Sequence, residues 1–516
     1  MENGGIKNIV LIALVVVFSF FIGSMSADGL KNAVTPIVFV AGLFVLLYLG
    51  KNIKFAMFYL PPILLALPLG SVGPGFFAAA VCPFALVYWF VMRMMGYVRF
   101  TWTRHLGLDL LVLLLFLYIC ACYYRHPVSI EVLGLELDTI GGKDYVYFVL
   151  GMLGYVAVSC IPFTAQQLYL IPRRLVWLGI FLSVWGIVSS RFSGNHASAD
   201  DVSFGDEISN TRFTLFSGLG MKIFYLLFAS FPIRKLFFSP GKLLLLLICT
   251  AAVVISGWRG TLICFALTVF ALSFFKRELI TVITLGVFTY GGLLFLSQEH
   301  AFNGLPYGMQ RALCAVPGIH VSKEIEDNAE GSSEWRKDMW KWALDPRTHL
   351  IEDYVWGDGP GHSRSDMLRR NTAIMRGTVQ GGDNRDFARL GVWHSGCITL
   401  LNSYGIVGLS LFVLYQISLC AVSVAACFKY RRTPYYPYFM VHLASIIPGQ
   451  IMFHLSAGTT PALYSALPTM AFTKLLYVKA EELGLNDTFF RREPYVPLMI
   501  QDINQEDDSK KAYELT

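Results

Sequence analysis

A single histidine and a handful of arginines carry the chemistry legible in this chain. His394 stands in GVWHSGCITLLNSYGIVG, residues 391–408, where a long polar segment gives way to an apolar run. Imidazole is the side chain that accepts a hydroxyl proton near neutral pH, its ordinary pKa being about 6.5. Taken alone, a histidine at such a boundary is more often an interfacial packing residue than a base. Arg259 interrupts two apolar runs in SGWRGTLI, residues 256–263, beside Trp258 and between Gly257 and Gly260. An arginine there is either a snorkelling turn residue or an anion clamp, because a guanidinium fork bonds phosphate bidentately and flanking glycines let a ligand approach the backbone. Arg212, in SNTRFTLFSG, precedes another apolar run and would bracket a diphosphate together with Arg259.

The third arginine lies in the polar segment. EWRKDMWKWALDPRTHLIEDYVWGDGPGHSR places Trp335, Met339, Trp340 and Ala343 at helical spacing, which predicts an amphipathic helix with Arg336 at its start. GDGPG follows, and Gly357, Gly359 and Gly361 read as a tight turn that demands glycine conformations. It is not a nucleotide loop, because the Lys-Ser/Thr ending is absent. Arg364, Arg369, Arg370, Arg376, Arg385 and Arg389 then lead to His394. Most of that basic run reads as a solvated face, with Arg385 and Arg389 nearest the histidine. No Cys/His spacing resembles a zinc site, and no cofactor is required.

The elements that must position these residues are membrane helices. The chain is 55% apolar and only 15% charged, with a mean hydropathy of +0.55, which excludes an ordinary soluble globule. Apolar runs at about 8–24, 33–49, 55–70, 75–92, 107–123, 145–163, 173–190, 213–231, 243–257, 260–275, 279–297, 399–427, 435–454 and 462–478 predict an all-α polytopic membrane protein of roughly fourteen spans. The first run reads as a retained signal anchor. The expected organisation is eleven or so N-terminal helices over 1–297, a large, mostly helical periplasmic loop at 298–397, about three helices over 398–478 and a tail at 479–516. Lysines and arginines fall in alternate connections, such as Lys51 and Lys54, Arg93, Arg99 and Arg104, and Lys429, Arg431 and Arg432. That alternation puts both termini in the cytoplasm and the long loop outside. The net charge of +6 therefore acts as a topology signal and gives no support to nucleic-acid binding. Of the ten cysteines, only Cys314 and Cys397 lie in or beside the long outer loop, where an oxidising compartment would permit a disulfide between them.

The order of these motifs resembles the O-antigen ligase and polymerase superfamily: SGWRG between two spans, an outer loop bearing WRKDMWKWAL and then GDGPG, and His394 before L-x-x-Y-G-I-V-G. The resemblance covers roughly 212–427. Ser395 and Ser403 depart from the Asn and Glu usual in that family. It implies inverting, metal-independent glycan transfer from an undecaprenyl-diphosphate-linked donor to an acceptor hydroxyl at the periplasmic face of a bacterial inner membrane. His394 would be the base and Arg259, Arg212 and Arg336 would hold the diphosphate, with Trp258, Gly357, Gly359, Gly361, Arg385 and Arg389 as possible acceptor or loop contacts. The acceptor is lipid A core in a ligase, another repeat unit in a polymerase, and a protein hydroxyl in an O-oligosaccharyltransferase. The first is favoured slightly. The alternative of another class is a glycan or lipid-linked-glycan transporter, which would want ionisable residues deep within spans. Lys222 and Lys474 are the exceptions to an otherwise uncharged set.

Overall fold

A computed structural model describes residues 52–66, 74–127, 139–140, 142–192, 214–256, 259–298, 301–314, 316–363, 393–454, 462–485 and 487. The first two apolar runs, the tail beyond 487, and Arg212, Trp258 and the arginines from 364 to 389 lie outside them. Every apolar run from the third onward falls on a helix. In chain order these are α1 (Ile53–Leu65), α2 (Pro74–Met94), α3 (Leu106–Arg125), α4 (Lys143–Cys160), α5 (Ala165–Phe192), α6 (Thr214–Ser230), α7 (Ile233–Phe237), α8 (Pro240–Ile255), α9 (Arg259–Lys276), α10 (Leu279–Gln298), α11 (Tyr307–Leu313), α12 (Lys323–Leu344), α13 (Gly396–Lys429), α14 (Tyr436–Met452) and α15 (Ala462–Glu482). A two-residue bridge, Thr139–Ile140 antiparallel to His362–Ser363, is the β-structure among the described residues.

The protein is thus helical and of membrane type, but fourteen full spans are not what the described residues display. Five helices are both long and apolar enough to cross a bilayer: Leu106–Arg125, Ala165–Val188, Arg259–Lys276, Leu279–Gln298 and Gly396–Arg432. Others, such as Phe216–Ser230 and Pro240–Ile255, are apolar but shorter.

The chain divides into two compact units. One comprises residues up to Arg104, Tyr147–Thr164 and Leu463–Leu475. Its centre is aromatic, with the Phe58 ring 4.8 Å from Phe472 and 5.7 Å from Phe163. Lys474, fully buried there, donates to Ser159 Oγ at 2.8 Å and sits over the Tyr155 and Trp102 rings.

The second unit holds the candidate site and the remaining residues. At one end of α13 and α14, Tyr430 stacks on Phe439 at 4.4 Å, and Arg432 grips Asp487 with two hydrogen bonds of 2.9 and 2.6 Å. The polar segment after α10 folds on cores of its own. Phe302, Leu313, Ile319, Val321 and Ile325 form one, and Met339, Ala343, Leu350, Trp393 and Ile398 the other. Gln310, buried on α11, fastens the first: its amide donates to the carbonyls of Asn303 and Leu305, and its oxygen accepts from the backbone and hydroxyl of Ser322.

The anticipated amphipathic helix is present as α12, with Met339 and Ala343 fully buried. It starts at Lys323, however, so Arg336 lies in its second half and not at its start. The polar stretch before Trp335, with Gly331-Ser332-Ser333, carries poor local propensity and conceals the helix from pattern reading.

Candidate functional site

The GDGPG turn and the YGIVG segment, separate motifs in the sequence, form one structural unit. Gly405 sits inside α13 at φ 62 and ψ −172, which breaks the helix. The groups freed by the break are taken up by the turn: Asp358 and Gly359 donate backbone N–H to the carbonyls of Asn402 and Ser403, at 2.8 and 3.0 Å. Ile406 and Val407 donate to the carbonyls of Tyr354 and Val355 in return, at 2.8 and 3.3 Å. A membrane helix interrupted in this way needs such partners, because lipid supplies none. The approach is close enough to exclude side chains. A Cβ on Gly405 would lie 2.2 Å from the Val355 carbonyl oxygen, and one on Gly357 2.4 Å from the Tyr404 nitrogen. Gly357 and Gly359 take φ of +84 and +86, as the turn expectation required, and Gly361 is buried. The Asp358 carboxylate accepts from the amides of Glu352 and Asp353, and the Tyr118 hydroxyl reaches the carbonyls of Trp356 and Tyr404.

The break folds α13 back on itself. Cys397 and Gln416 would stand about 28 Å apart on one continuous helix, yet both touch the His454 ring. The Tyr404 and Phe412 rings likewise meet at 5.5 Å. The apolar run expected as one span is therefore a short arm, 396–404, doubled against a long arm that continues to Lys429. His394, at the free end of the short arm, returns toward the level of Gln416.

His394 is fixed on both sides. The preceding Trp393 is fully buried and its carbonyl accepts the Trp340 indole N–H at 2.7 Å. The following Ser395 turns its hydroxyl to the His454 carbonyl at 3.2 Å instead of capping the helix, which leaves the first-turn amides of α13 uncapped by that side chain. His394 itself takes φ 48, a left-handed conformation that costs a non-glycine residue roughly 1–3 kcal/mol and recurs at functional sites. Its ring is tilted against the Trp335 indole at 5.3 Å.

Arg336 lies close enough to this histidine to act on its charge, and two further arginines lie close to Arg336. Burial, and then the charge of Arg336, hold the His394 imidazole below its ordinary range, so it is neutral at pH 7. Arg336 is half-buried and feels Arg311, and Arg259 feels both Arg336 and Arg311. Arg259, the first residue of α9, donates to the Ala329 carbonyl at 3.2 Å and to Ser333 Oγ at 3.1 Å, which ties it to α12. The buried Nε of Arg336 has no hydrogen-bond partner among the described residues. No carboxylate pairs with any of the three arginines there.

Of the residues singled out in the sequence, the structure places Arg336 within electrostatic reach of both Arg259 and His394. Arg212, Trp258, Arg385 and Arg389 lie outside the described residues. Gly357 and Gly359 belong to the turn docked at the break, and Gly361 is buried. Arg311, on α11, was not singled out in the sequence: it is one arginine in PYGMQRALC, without a pattern, and only the packing of α11 near α9 and α12 makes it part of the group. Cys314 and Cys397 are both free thiols, and Cys397 lies 3.1 Å from His454 Nδ1. Among the described residues no cluster of histidines, cysteines and carboxylates suits a metal ion. No known family model matches the chain, and no curated protein matches it.

Proposed function

We propose that this protein transfers a glycan from an undecaprenyl-diphosphate carrier to an acceptor hydroxyl at the outer face of a bacterial inner membrane, in the manner of the O-antigen ligases and polymerases it resembles. The observation that carries this reading is that Arg336 acts on His394 and is itself neighboured by Arg259 and Arg311, with no carboxylate among the described residues paired with any of the three. Half-buried like charges repel and are expensive to desolvate, and a dianionic diphosphate relieves both costs. The same arginines then stabilise the charge that grows on the diphosphate as its bond to the sugar breaks. The acceptor oxygen forms the new bond to the anomeric carbon, its proton passes to His394, and the diphosphate leaves with the bonding electrons. A neutral imidazole is the form that can take that proton. Both termini are cytoplasmic in this reading, and the chain between α10 and α13 faces outward.

Transfer in vitro from a lipid-diphosphate glycan to defined acceptors, with no nucleotide added, tests the proposal. We expect product with lipid A core, which a repeat-unit or protein acceptor would replace if the protein is a polymerase or an O-oligosaccharyltransferase. Arg259→Ala should lower transfer far more than protein level, and Arg259→Lys should recover only part, since lysine keeps charge but loses the fork. Arg311→Gln should weaken binding of inorganic pyrophosphate about tenfold or more, the low end of what a hydrogen bond to a charged group contributes. Absence of transfer to every acceptor, together with pyrophosphate binding indifferent to these arginines, would overturn the reading. The transporter alternative gains little from Lys222 and Lys474. Lys222 donates to the Gly179 carbonyl and Ser183 Oγ at 2.9 and 2.7 Å, and Lys474 to Ser159, so both have structural partners.

A further inference from the structure

His454 follows the C-cap of α14 and touches both arms of α13. Its Nδ1 faces the Cys397 thiol at 3.1 Å and its Nε2 faces Gln416 Oε1. Since the amide oxygen only accepts, Nε2 carries the proton and donates to it. Nδ1 is then the bare nitrogen and accepts the weak S–H of Cys397. The backbone completes the clasp: the His454 carbonyl takes the Ser395 hydroxyl, and Gly396 packs so tightly on Phe453 that a Cβ would lie 2.4 Å from its carbonyl oxygen. Ser395 and Gln416 are buried. One neutral imidazole, with both nitrogens engaged, therefore bridges the start of the short arm and the middle of the long arm.

We propose that His454 is a positioning residue: by clasping Cys397 and Gln416 it holds the short arm of α13 against the long arm, and so sets where His394 stands beside the arginines. Among the described residues the His394 end has no backbone ladder to do this, unlike the Gly405 end, where the turn supplies one. The polar contacts of His454 go to Cys397, Gln416 and Ser395 rather than to His394 or the arginines, and its bare Nδ1 is taken up by the Cys397 thiol. The catalytic part of this inference rests on the function proposed above; the clasp itself does not.

The test uses the full-length protein and two readouts. The first is the rate at which N-ethylmaleimide modifies Cys397, located by mass spectrometry. The second is transfer, with kcat and donor KM measured separately. His454→Ala should raise Cys397 modification about tenfold and lower kcat about tenfold per folded molecule, with donor KM and the pH midpoint of the acid limb little changed, because the arginines and the base are intact but misplaced. Gln416→Met, which removes one of the two ring contacts, should give a smaller change in the same two readouts. It carries the test if His454→Ala does not accumulate. Folded variants with Cys397 modification and kcat both unchanged would overturn the proposal. Faster Cys397 modification with unchanged kcat would also overturn it, since the clasp would then be structural alone. If the wild-type protein transfers nothing, the proposed function fails, while the modification rates still decide whether His454 holds the arms together.

Discussion

The two ends of the short arm of α13 are built on opposite principles. At Gly405 the groups freed by a broken helix are met by the GDGPG turn, amide by amide and carbonyl by carbonyl. At His394 the backbone is strained, Arg336 lies nearby with Arg259 and Arg311 close to it, and no carboxylate among the described residues pairs with these arginines. One end is saturated with backbone hydrogen bonds, and the other gathers like charge. Strain and like charge persist only where the surroundings over-determine them, and here the determining structure is the hairpin: the Gly405 junction fixes one end of the arm, and Trp393 with His454 fixes the other.

The contrast can be broken most severely at its saturated end. Gly405→Ala combines a disfavoured positive φ with a collision against the Val355 carbonyl, and should cost about 3 kcal/mol or more. A fall in thermal midpoint in detergent would register it; an unchanged midpoint would mean that the turn does not dock across the break. At the other end the expectation inverts. His394→Gly should lower turnover by about 10² or more, the usual scale of general acid-base catalysis, while leaving stability equal or slightly raised, because glycine accepts the left-handed backbone freely. A histidine that only packs would show the reverse, a lower midpoint with turnover intact.

The electrostatic half of the comparison is tested by pH. With its proton affinity lowered by burial and by Arg336, His394 is neutral at pH 7 and becomes protonated only on acidification below the ordinary histidine range. Activity should therefore hold through neutrality and fall on the acid side. Arg336→Gln removes a positive neighbour, favours the imidazolium, and should move that acid limb to higher pH while burial keeps it from reaching an exposed histidine's value. A limb that stays put or moves down would separate Arg336 from the base. The mildest effect belongs to Arg125, which meets Asp353 at 3.0 Å beside the turn, with 41% and 30% of the two side chains exposed. Solvent screening limits such a pair to about 1 kcal/mol at most, so Arg125→Ala should shift the thermal midpoint slightly and leave transfer unaltered. A loss of transfer there would place the turn closer to the chemistry than its packing implies.

Much of the site could be read from residue types. Imidazole and guanidinium are the groups that suit a hydroxyl and a diphosphate, and an apolar composition places them between membrane helices. The glycines of GDGPG announced a turn with positive φ, and the spacing of Met339 and Ala343 announced the buried face of α12. These are local properties, set by covalent geometry and by the period of one helix. The length of α12 was hidden because Gly331 and its serines argue against a helix that tertiary packing nevertheless sustains. Arg311 and His454 were hidden for a stronger reason: each acquires its role from neighbours distant in sequence.

The sequence by itself determined a helical chain apolar enough for a membrane, the glycines that permit a turn and a break, and a histidine and arginines whose chemistry suits the proposed reaction. Only the tertiary structure decided that the 34 residues of α13 are two arms and not one long span. Hydropathy reports whether a segment tolerates lipid and is blind to its direction, and a glycine breaks a helix only where another backbone stands ready to take its hydrogen bonds. The same docking that supplied those bonds turned the His394 end of the short arm back along the long arm, with His394 near Arg336, which no pattern along the chain could have specified.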